Sequence, residues 1–195
     1  MEKVIVRLIK TSEIKSHYDF VLSFVSEARK QKAKQFASEN DQLLSLGAGY
    51  LLKKYLPSSD IKFLLNGKPY LENGPYFNYS HSGEYVAFSS HSSRPVGVDI
   101  ERIDESKLKA IKYVVKEEGT TEEFFQMWSN KESLIKCKST GIQDIKKAPA
   151  LPLSGVREFD DKKYYTKSII YNGYSLSITL EGDKPFEIEI VSEIL

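Results

Sequence analysis

The sequence predicts an α+β fold of two similar halves, because one order of elements occurs twice along the chain. Each half begins with a β-branched strand, continues through helical segments and ends in a hairpin. The second round begins after Arg94 and Pro95, near the middle of the 195 residues. We therefore expect two pseudo-symmetric halves, residues 1–94 and 95–195, packed as one compact unit. A cleft between such halves is a common position for ligand sites.

Local patterns define the elements of the first half. The β-branched run at 3–9 predicts a strand. Apolar residues at helical spacing predict a helix over 18–36, and Asp41 is expected to cap a second, strongly apolar helix. The pair Asn66-Gly67 then predicts a tight reversal, followed by short strands at FNYS and EYVAFSS that the loop residues His81 to Gly83 separate.

The second half repeats this order. The run VGVDIE at 96–101 predicts a strand, and two helical segments are expected at 107–115 and 122–138. The pair Asn172-Gly173 separates two further β-rich runs and predicts the closing hairpin.

Composition and charge exclude several classes of protein. Lys and Arg number 28 against 27 for Asp and Glu, so no overall field would attract a nucleic acid or an anionic membrane. The single Cys137 cannot form an internal disulfide, and three histidines disfavour a histidine-based zinc site. No apolar run is long enough for a signal peptide or a membrane span. We therefore expect a cytoplasmic globular protein with no nucleic-acid or membrane partner.

Two carboxylates share one face of the predicted strand at 96–101. Side chains alternate along a strand, so Asp99 and Glu101 point the same way, with Cα atoms about 6.6 Å apart. Both could then reach one hard cation, although the strand taken alone favours a solvated acidic face. Gly97 indicates close approach of a ligand or of another backbone.

The last helix carries a second pair of charged residues. Thr120 and Glu123 predict a capping box at its start. Glu132 and Lys136 are four residues apart and face the same way. They form either an ion pair on an exposed surface, or a third carboxylate for a cation together with a charge that neutralises a phosphate. Periodicity alone does not decide between these readings.

The segment YSHSG combines hydroxyls, a glycine and His81, which is chemistry that suits a phosphate. The alternative for a lone loop histidine is an ordinary surface residue. Lys68, next to the Asn66-Gly67 turn, has the same two readings.

Four ordered blocks, GKP, FNYSHSG, VGVDIE and FFQMWSNKESLIK, run from Gly67 to Lys136. In this order the sequence resembles the Sfp-type 4′-phosphopantetheinyl transferases. The resemblance implies Mg²⁺-dependent transfer of 4′-phosphopantetheine from coenzyme A to a serine of an apo acyl or peptidyl carrier protein, with release of adenosine 3′,5′-bisphosphate. It also implies two pseudo-symmetric halves with the active site in the cleft between them.

The resemblance assigns roles to individual residues. Asp99, Glu101 and Glu132 would hold Mg²⁺ against the coenzyme A diphosphate. Glu132 would also be the base for the carrier serine, and Lys136 would neutralise or protonate the leaving bisphosphate, so these two and Asp99 are the expected catalytic residues. The other residues expected to bind coenzyme A are Lys68, Ser80, His81 and Lys131, with Arg29 and Lys32 near the 3′-phosphate.

One position departs from the family pattern, because Leu44 stands where many members have a phosphate-binding arginine. Either a nearby lysine binds the phosphate in place of that arginine, or coenzyme A binds more weakly. Two other functions stay open: a non-catalytic module that binds coenzyme A or a carrier protein, and a Mg²⁺-dependent nucleotide phosphohydrolase. We expect a monomer, and the mixed basic and apolar segment 107–116 is the expected docking surface for the carrier.

Overall fold

The computed structural model describes residues 1–58 and 60–195 and confirms an α+β fold. Its elements in the first half are β1 (Glu2–Lys10), α1 (Thr11–Ser16), α2 (Tyr18–Phe24), α3 (Glu27–Lys34), α4 (Glu39–Tyr55), β2 (Lys62–Phe63), β3 (Pro69–Tyr70), β4 (Tyr76–Ser82) and β5 (Tyr85–His91). The second half has β6 (Val96–Arg102), α5 (Leu108–Val115), α6 (Thr121–Lys138), β7 (Ser154–Phe159), β8 (Lys162–Tyr171), β9 (Tyr174–Glu181) and β10 (Phe186–Ser192). Short 3₁₀ turns precede α5 and follow α6.

Two four-stranded sheets form the centre of the molecule, in the orders β10-β1-β5-β4 and β6-β9-β8-β7. Their inner faces pack on each other through one shared apolar core, which includes Val6 and Ala87 from the first sheet and Val98 and Ile178 from the second. This core joins the two halves, and the predicted cleft between them stays a prediction. The boundary at residue 94 stays a prediction.

Each sheet is covered on its outer face by one long helix. Alternate side chains of β1 and β5, such as Ile9 and Val86, point away from the shared core and pack against apolar residues of α4 such as Leu51. On the other side of the molecule, α6 lies across β6 and β9. Among the described residues, no helix has the length and apolar character that a bilayer crossing requires.

The strand β10 joins the sheet of the first half, although it follows all other elements in sequence. It pairs in parallel with β1, from Glu2 opposite Phe186 to Leu8 opposite Ser192. The repeat of element order did not predict this exchange, because it depends on residues far apart in the chain.

Several local predictions are confirmed and others are corrected. The capping box at Thr120 is present, and Asn172 and Gly173 form a hairpin turn with positive φ at both residues. The helix expected over 18–36 is divided, because extended backbone at Val25 and Ser26 ends α2 and lets Ser26 cap α3. The N-cap of α4 is Ser38 rather than Asp41, since the Ser38 hydroxyl accepts a hydrogen bond from the amide of Asp41.

Candidate active site

Asp99 is a buried carboxylate on β6 at the edge of the interface between the sheets. Its Oδ1 accepts hydrogen bonds from the Ser80 hydroxyl at 2.9 Å and from the Lys136 ammonium at 2.6 Å. Its Oδ2 is also buried but has no hydrogen-bond partner among the described residues. A buried carboxylate oxygen without a donor is costly, so this atom is available to a ligand or a cation.

Glu132 and Glu101 lie close enough to Asp99 to repel it. Burial, with repulsion from Asp99, raises the pKa of Glu132 to about 7. The same two causes raise the pKa of Glu101, whose Oε2 accepts a hydrogen bond from Ser82 at 2.9 Å. Residues from β6 and α6 thus bring three carboxylates together, as the alternation on the strand and the position on the helix suggested.

Lys136 provides the positive charge inside this group. Its Nζ lies 3.8 Å from Oε2 of Glu132 and 3.1 Å from the hydroxyl of Ser80, besides its contact with Asp99. Burial lowers the pKa of Lys136, but the charges of Asp99 and Glu132 outweigh this effect, so the pKa is raised and the ammonium stays protonated.

Gly97 allows α6 to approach β6 closely enough for these contacts. A Cβ at this position would lie 2.0 Å from the carbonyl oxygen of Ser133 and 2.5 Å from the amide nitrogen of Cys137. No larger residue fits between strand and helix. The prediction that Gly97 indicates a close backbone approach is confirmed, and the approaching backbone is that of the helix that carries Glu132 and Lys136.

His81 lies at the end of β4 rather than in a loop. Its backbone pairs with Val86 of β5, and the hairpin turn follows only after Ser82. Desolvation lowers the pKa of His81 and the charge of Lys136 lowers it further. Ser80 faces Asp99, whereas the side chain of His81, the next residue of the strand, is exposed on the opposite face of β4.

Lys68 supports the C-terminal end of α6. Its Nζ donates to the backbone carbonyl of Lys136, to that of Cys137 at 3.3 Å and to the Ser139 hydroxyl at 2.9 Å. Burial lowers the pKa of Lys68. The side chain thus anchors the helix end beside the site, and its contact with a coenzyme A phosphate stays a prediction.

Lys131 does not reach the carboxylates, against the expectation. It is buried on another side of α6, where Nζ donates to the carbonyls of Ile145, at 3.2 Å, and Ala148. Burial lowers its pKa, and the neighbouring charge of Arg157 lowers it further. Lys131 and Lys136 differ by five positions, so the helix turns them to different neighbours, and Lys131 holds the segment after α6 in place.

Two adjoining cavities lead away from Glu132 and Lys136. The first, of about 320 Å³, has both of these side chains in its wall together with Pro69 and Tyr79. The second, of about 220 Å³, shares Pro69 and Tyr79 and is lined at its far side by Arg29 and Lys32. Neither of these two basic side chains forms an ion pair with another residue in the described part of the chain. The path therefore joins the carboxylates to a pair of cations that suits an anion.

A third cavity, of about 670 Å³, lies near Glu101. Ser82 and Lys107 line it, and both contact Oε2 of Glu101, Lys107 at 3.5 Å.

Comparison with known proteins identifies the relatives of this chain. No protein-family model matches it. The 4′-phosphopantetheinyl transferase gsp of Aneurinibacillus migulanus is 34% identical, over 67% of this chain and 63% of that protein. The 4′-phosphopantetheinyl transferase Sfp of Bacillus subtilis (strain 168) is 31% identical, over 62% of this chain and 63% of the relative. The chain is a relative of the Sfp-type 4′-phosphopantetheinyl transferases. It spans 63% of the length of each of these two proteins.

The carboxylates of this chain have the chemistry that Mg²⁺ prefers. Mg²⁺ prefers carboxylate and phosphate oxygens, and the buried Oδ2 of Asp99 has no competing donor. Within residues 1–58 and 60–195, however, no three His, Cys, Asp or Glu side chains already stand close enough to hold one ion. The Lys136 ammonium instead lies beside Asp99 and Glu132.

Leu44 is buried in the apolar core of this chain, on the face of α4 that covers the first sheet. It contributes packing, and no phosphate can be bound through it. The cations that line the second cavity come from α3 instead.

The sequence alone did not reveal how β4 supports the candidate site of this chain. Asn78, Ser80 and Ser82 share one face of β4 and each bonds to β6. Asn78 accepts from the amide of Val98 at 3.0 Å, and Ser82 accepts from that of Arg102 at 3.0 Å. The alternating polar residues in FNYSHS were the available signal, but their partner strand belongs to the other sheet.

Proposed function

We propose that this chain is a Mg²⁺-dependent 4′-phosphopantetheinyl transferase that uses coenzyme A and an apo carrier protein. One observation carries the proposal: the group of buried Asp99 with half-buried Glu132 and Lys136 lies at one end of a cavity path whose other end has two cations, Arg29 and Lys32. Coenzyme A has the matching features, since its diphosphate and its 3′-phosphate are separated by a nucleoside. The names of the relatives support the same activity.

Glu132 is the proposed proton acceptor for the carrier serine. Without a bound cation the pKa of Glu132 is about 7, and such a carboxylate accepts a proton readily near neutral pH. The serine oxygen bonds to the phosphorus that bears the pantetheine, its proton passes to Glu132, and the bond from that phosphorus to the bridging oxygen breaks. The electron pair leaves with adenosine 3′,5′-bisphosphate.

Lys136 is proposed to neutralise the negative charge that develops on this leaving group. Its raised pKa keeps it protonated for that role. Asp99, Glu101 and Glu132 would hold Mg²⁺, which would supply further positive charge to the diphosphate. Ser80, which donates to Asp99, and His81, the next residue of β4, are proposed to contact the same diphosphate.

The proposed docking surface for the carrier is the exposed face of α5. Lys109, Lys112 and Tyr113 are exposed there, whereas Ile111 and Val115 are buried against α6. A basic face with an aromatic residue suits a small acidic helical partner. Action as a monomer in the cytoplasm, without nucleic acid or membrane, belongs to this proposal.

Mass spectrometry of an apo carrier protein incubated with coenzyme A and Mg²⁺ tests the proposed function. We expect the carrier to gain the mass of one phosphopantetheine group, and a carrier whose acceptor serine is replaced by alanine to stay unchanged. An unmodified native carrier with intact coenzyme A would instead indicate a binding module. Breakdown of the nucleotide without protein modification would indicate a phosphohydrolase.

A further inference from the structure

The side chain of Arg29 lies across α4 at Gly49. A Cβ at position 49 would lie 2.4 Å from Cγ of Arg29, 2.9 Å from Cδ and 3.1 Å from Nε. Carbon atoms that are not bonded pack at about 3.5–4.0 Å, so any other residue would displace the aliphatic part of this arginine. The absent side chain at 49 thus leaves a groove on the helix that Arg29 fills.

The backbone does not explain the glycine at 49. Gly49 is in the interior of α4, and its φ is not in the left-handed region that favours glycine. Glycine inside a helix lowers helix stability relative to alanine. Gly47 on the same helix differs, because its Cβ would meet core atoms, the nearest being Cγ2 of Val86 at 3.2 Å. At Gly49 the close neighbour is a single cationic side chain.

Arg29 borders the two cavities at this end of the molecule. It lines the cavity of about 220 Å³ together with Lys32, and a smaller one of about 90 Å³ together with Gly49. Its backbone amide is bonded to the Ser26 hydroxyl at 3.2 Å, which fixes the first turn of α3. The backbone of Arg29 is therefore held by the cap of α3, and the aliphatic part of its side chain is held by the groove on α4.

We propose that Gly49 is a positioning residue that holds the Arg29 guanidinium ready for the phosphate remote from the transferred group. The inference rests on the proposed function and deepens it, because it names what sets the preference for a 3′-phosphorylated nucleotide. Arginine binds phosphate through two parallel hydrogen bonds and so depends on orientation. A stem that is held in advance loses less conformational freedom when the phosphate binds.

Isothermal titration calorimetry with coenzyme A, and with coenzyme A that lacks its 3′-phosphate, tests this role. We expect Gly49→Ala to weaken binding of coenzyme A about tenfold and to leave the affinity for the truncated ligand unchanged. Arg29→Ala should have the same selective effect. The double variant should bind coenzyme A no more weakly than Arg29→Ala, because both changes act on one contact.

Gly47→Ala is the matched control on the same helix, and it should bind both ligands as the native chain does. The thermal midpoint of the double variant should equal or exceed that of Arg29→Ala, because alanine favours the helix once the arginine stem is gone. Native affinity of Gly49→Ala for coenzyme A, equal losses for both ligands, or additive losses in the double variant would each overturn the inference. A native chain that binds neither ligand would defeat the proposed function itself.

Discussion

Lys136 donates a hydrogen bond to Asp99 across the contact between α6 and β6, with 2.6 Å between Nζ and Oδ1. The same ammonium lies 3.8 Å from Glu132, so one cation offsets the repulsion between buried Asp99 and half-buried Glu132. Fixed charges in a site of low dielectric need little rearrangement when substrate charge develops. The pair therefore links the geometry of the fold to the chemistry that we propose.

Asp99→Asn tests whether this carboxylate is essential. The amide keeps the shape of the side chain but removes the charge, so we expect kcat/KM for coenzyme A to fall about 100-fold or more. Activity should be measured over a range of Mg²⁺ concentrations, with circular dichroism to verify the fold. Glu158→Gln, an exposed carboxylate on β7, is the control and should have no effect. Near-native activity at limiting Mg²⁺ would contradict the assignment of Asp99.

Lys136→Ala should lower kcat more than it raises KM for coenzyme A, because the charge acts most strongly as the phosphate bond breaks. Steady-state kinetics at varied coenzyme A separates the two parameters. Lys138→Ala removes a lysine of the same helix that pairs with Asp160 at the surface, and both of its parameters should stay native. A change in KM alone for Lys136→Ala would make that residue a binding group.

Charge reversal on α5 tests the docking surface. The double change Lys109→Glu, Lys112→Glu should raise KM for the carrier and weaken its salt dependence, while KM for coenzyme A stays the same. The pair Lys163→Glu, Lys184→Glu alters net charge equally at exposed positions outside α5 and provides the comparison. Equal carrier kinetics in the two double variants would move the docking surface elsewhere.

The buried carboxylate of Glu193 should make stability depend on pH. Tyr55 donates to it at 2.6 Å and Lys54 at 2.7 Å. Burial raises the pKa of Glu193, but these hydrogen bonds and the charge of Lys54 outweigh burial, so the pKa is lowered from 4.5. The native state therefore favours the ionised form. The stabilisation is complete above the unfolded-state pKa and is lost as the pH falls below about 4.5 through the native pKa.

Urea unfolding of Glu193→Gln checks this dependence. At pH 7 the free energy of unfolding should fall by about 2 kcal/mol, and the difference from the native chain should shrink at pH 3.5. Glu189→Gln on β10, which breaks an exposed ion pair with Lys3 of β1, should cost less than about 0.5 kcal/mol at either pH. A difference that is the same at both pH values would refute the role of ionised Glu193.

The parts of the fold that sequence patterns predicted are local. Capping by Thr120, the turn at Asn172 and the shared face of Asp99 and Glu101 each depend on residues a few positions apart. Periodicity also grouped Glu132 with Lys136, yet it could not show which neighbours each side of α6 would meet. Lys131 was misassigned for that reason, since its partners are carbonyls of the segment after the helix.

Other features depended on contacts between distant segments. The bonds from β4 to β6 cross from one sheet to the other, and no local pattern encodes which strands become neighbours. The same holds for Gly49, because the conflict at this position appears only when α3 packs on α4.

The pairing of β10 with β1 also constrains the order in which the molecule can fold. While the chain is synthesised, β1 emerges before β10. The edge of β1 that pairs with β10 therefore stays open until β10 has been made. Exposed strand edges attract other chains, so the nascent first sheet is vulnerable to aggregation throughout that interval. Contacts between such distant segments also slow folding. A variant that weakens β10 would accordingly lower the yield of folded protein during expression.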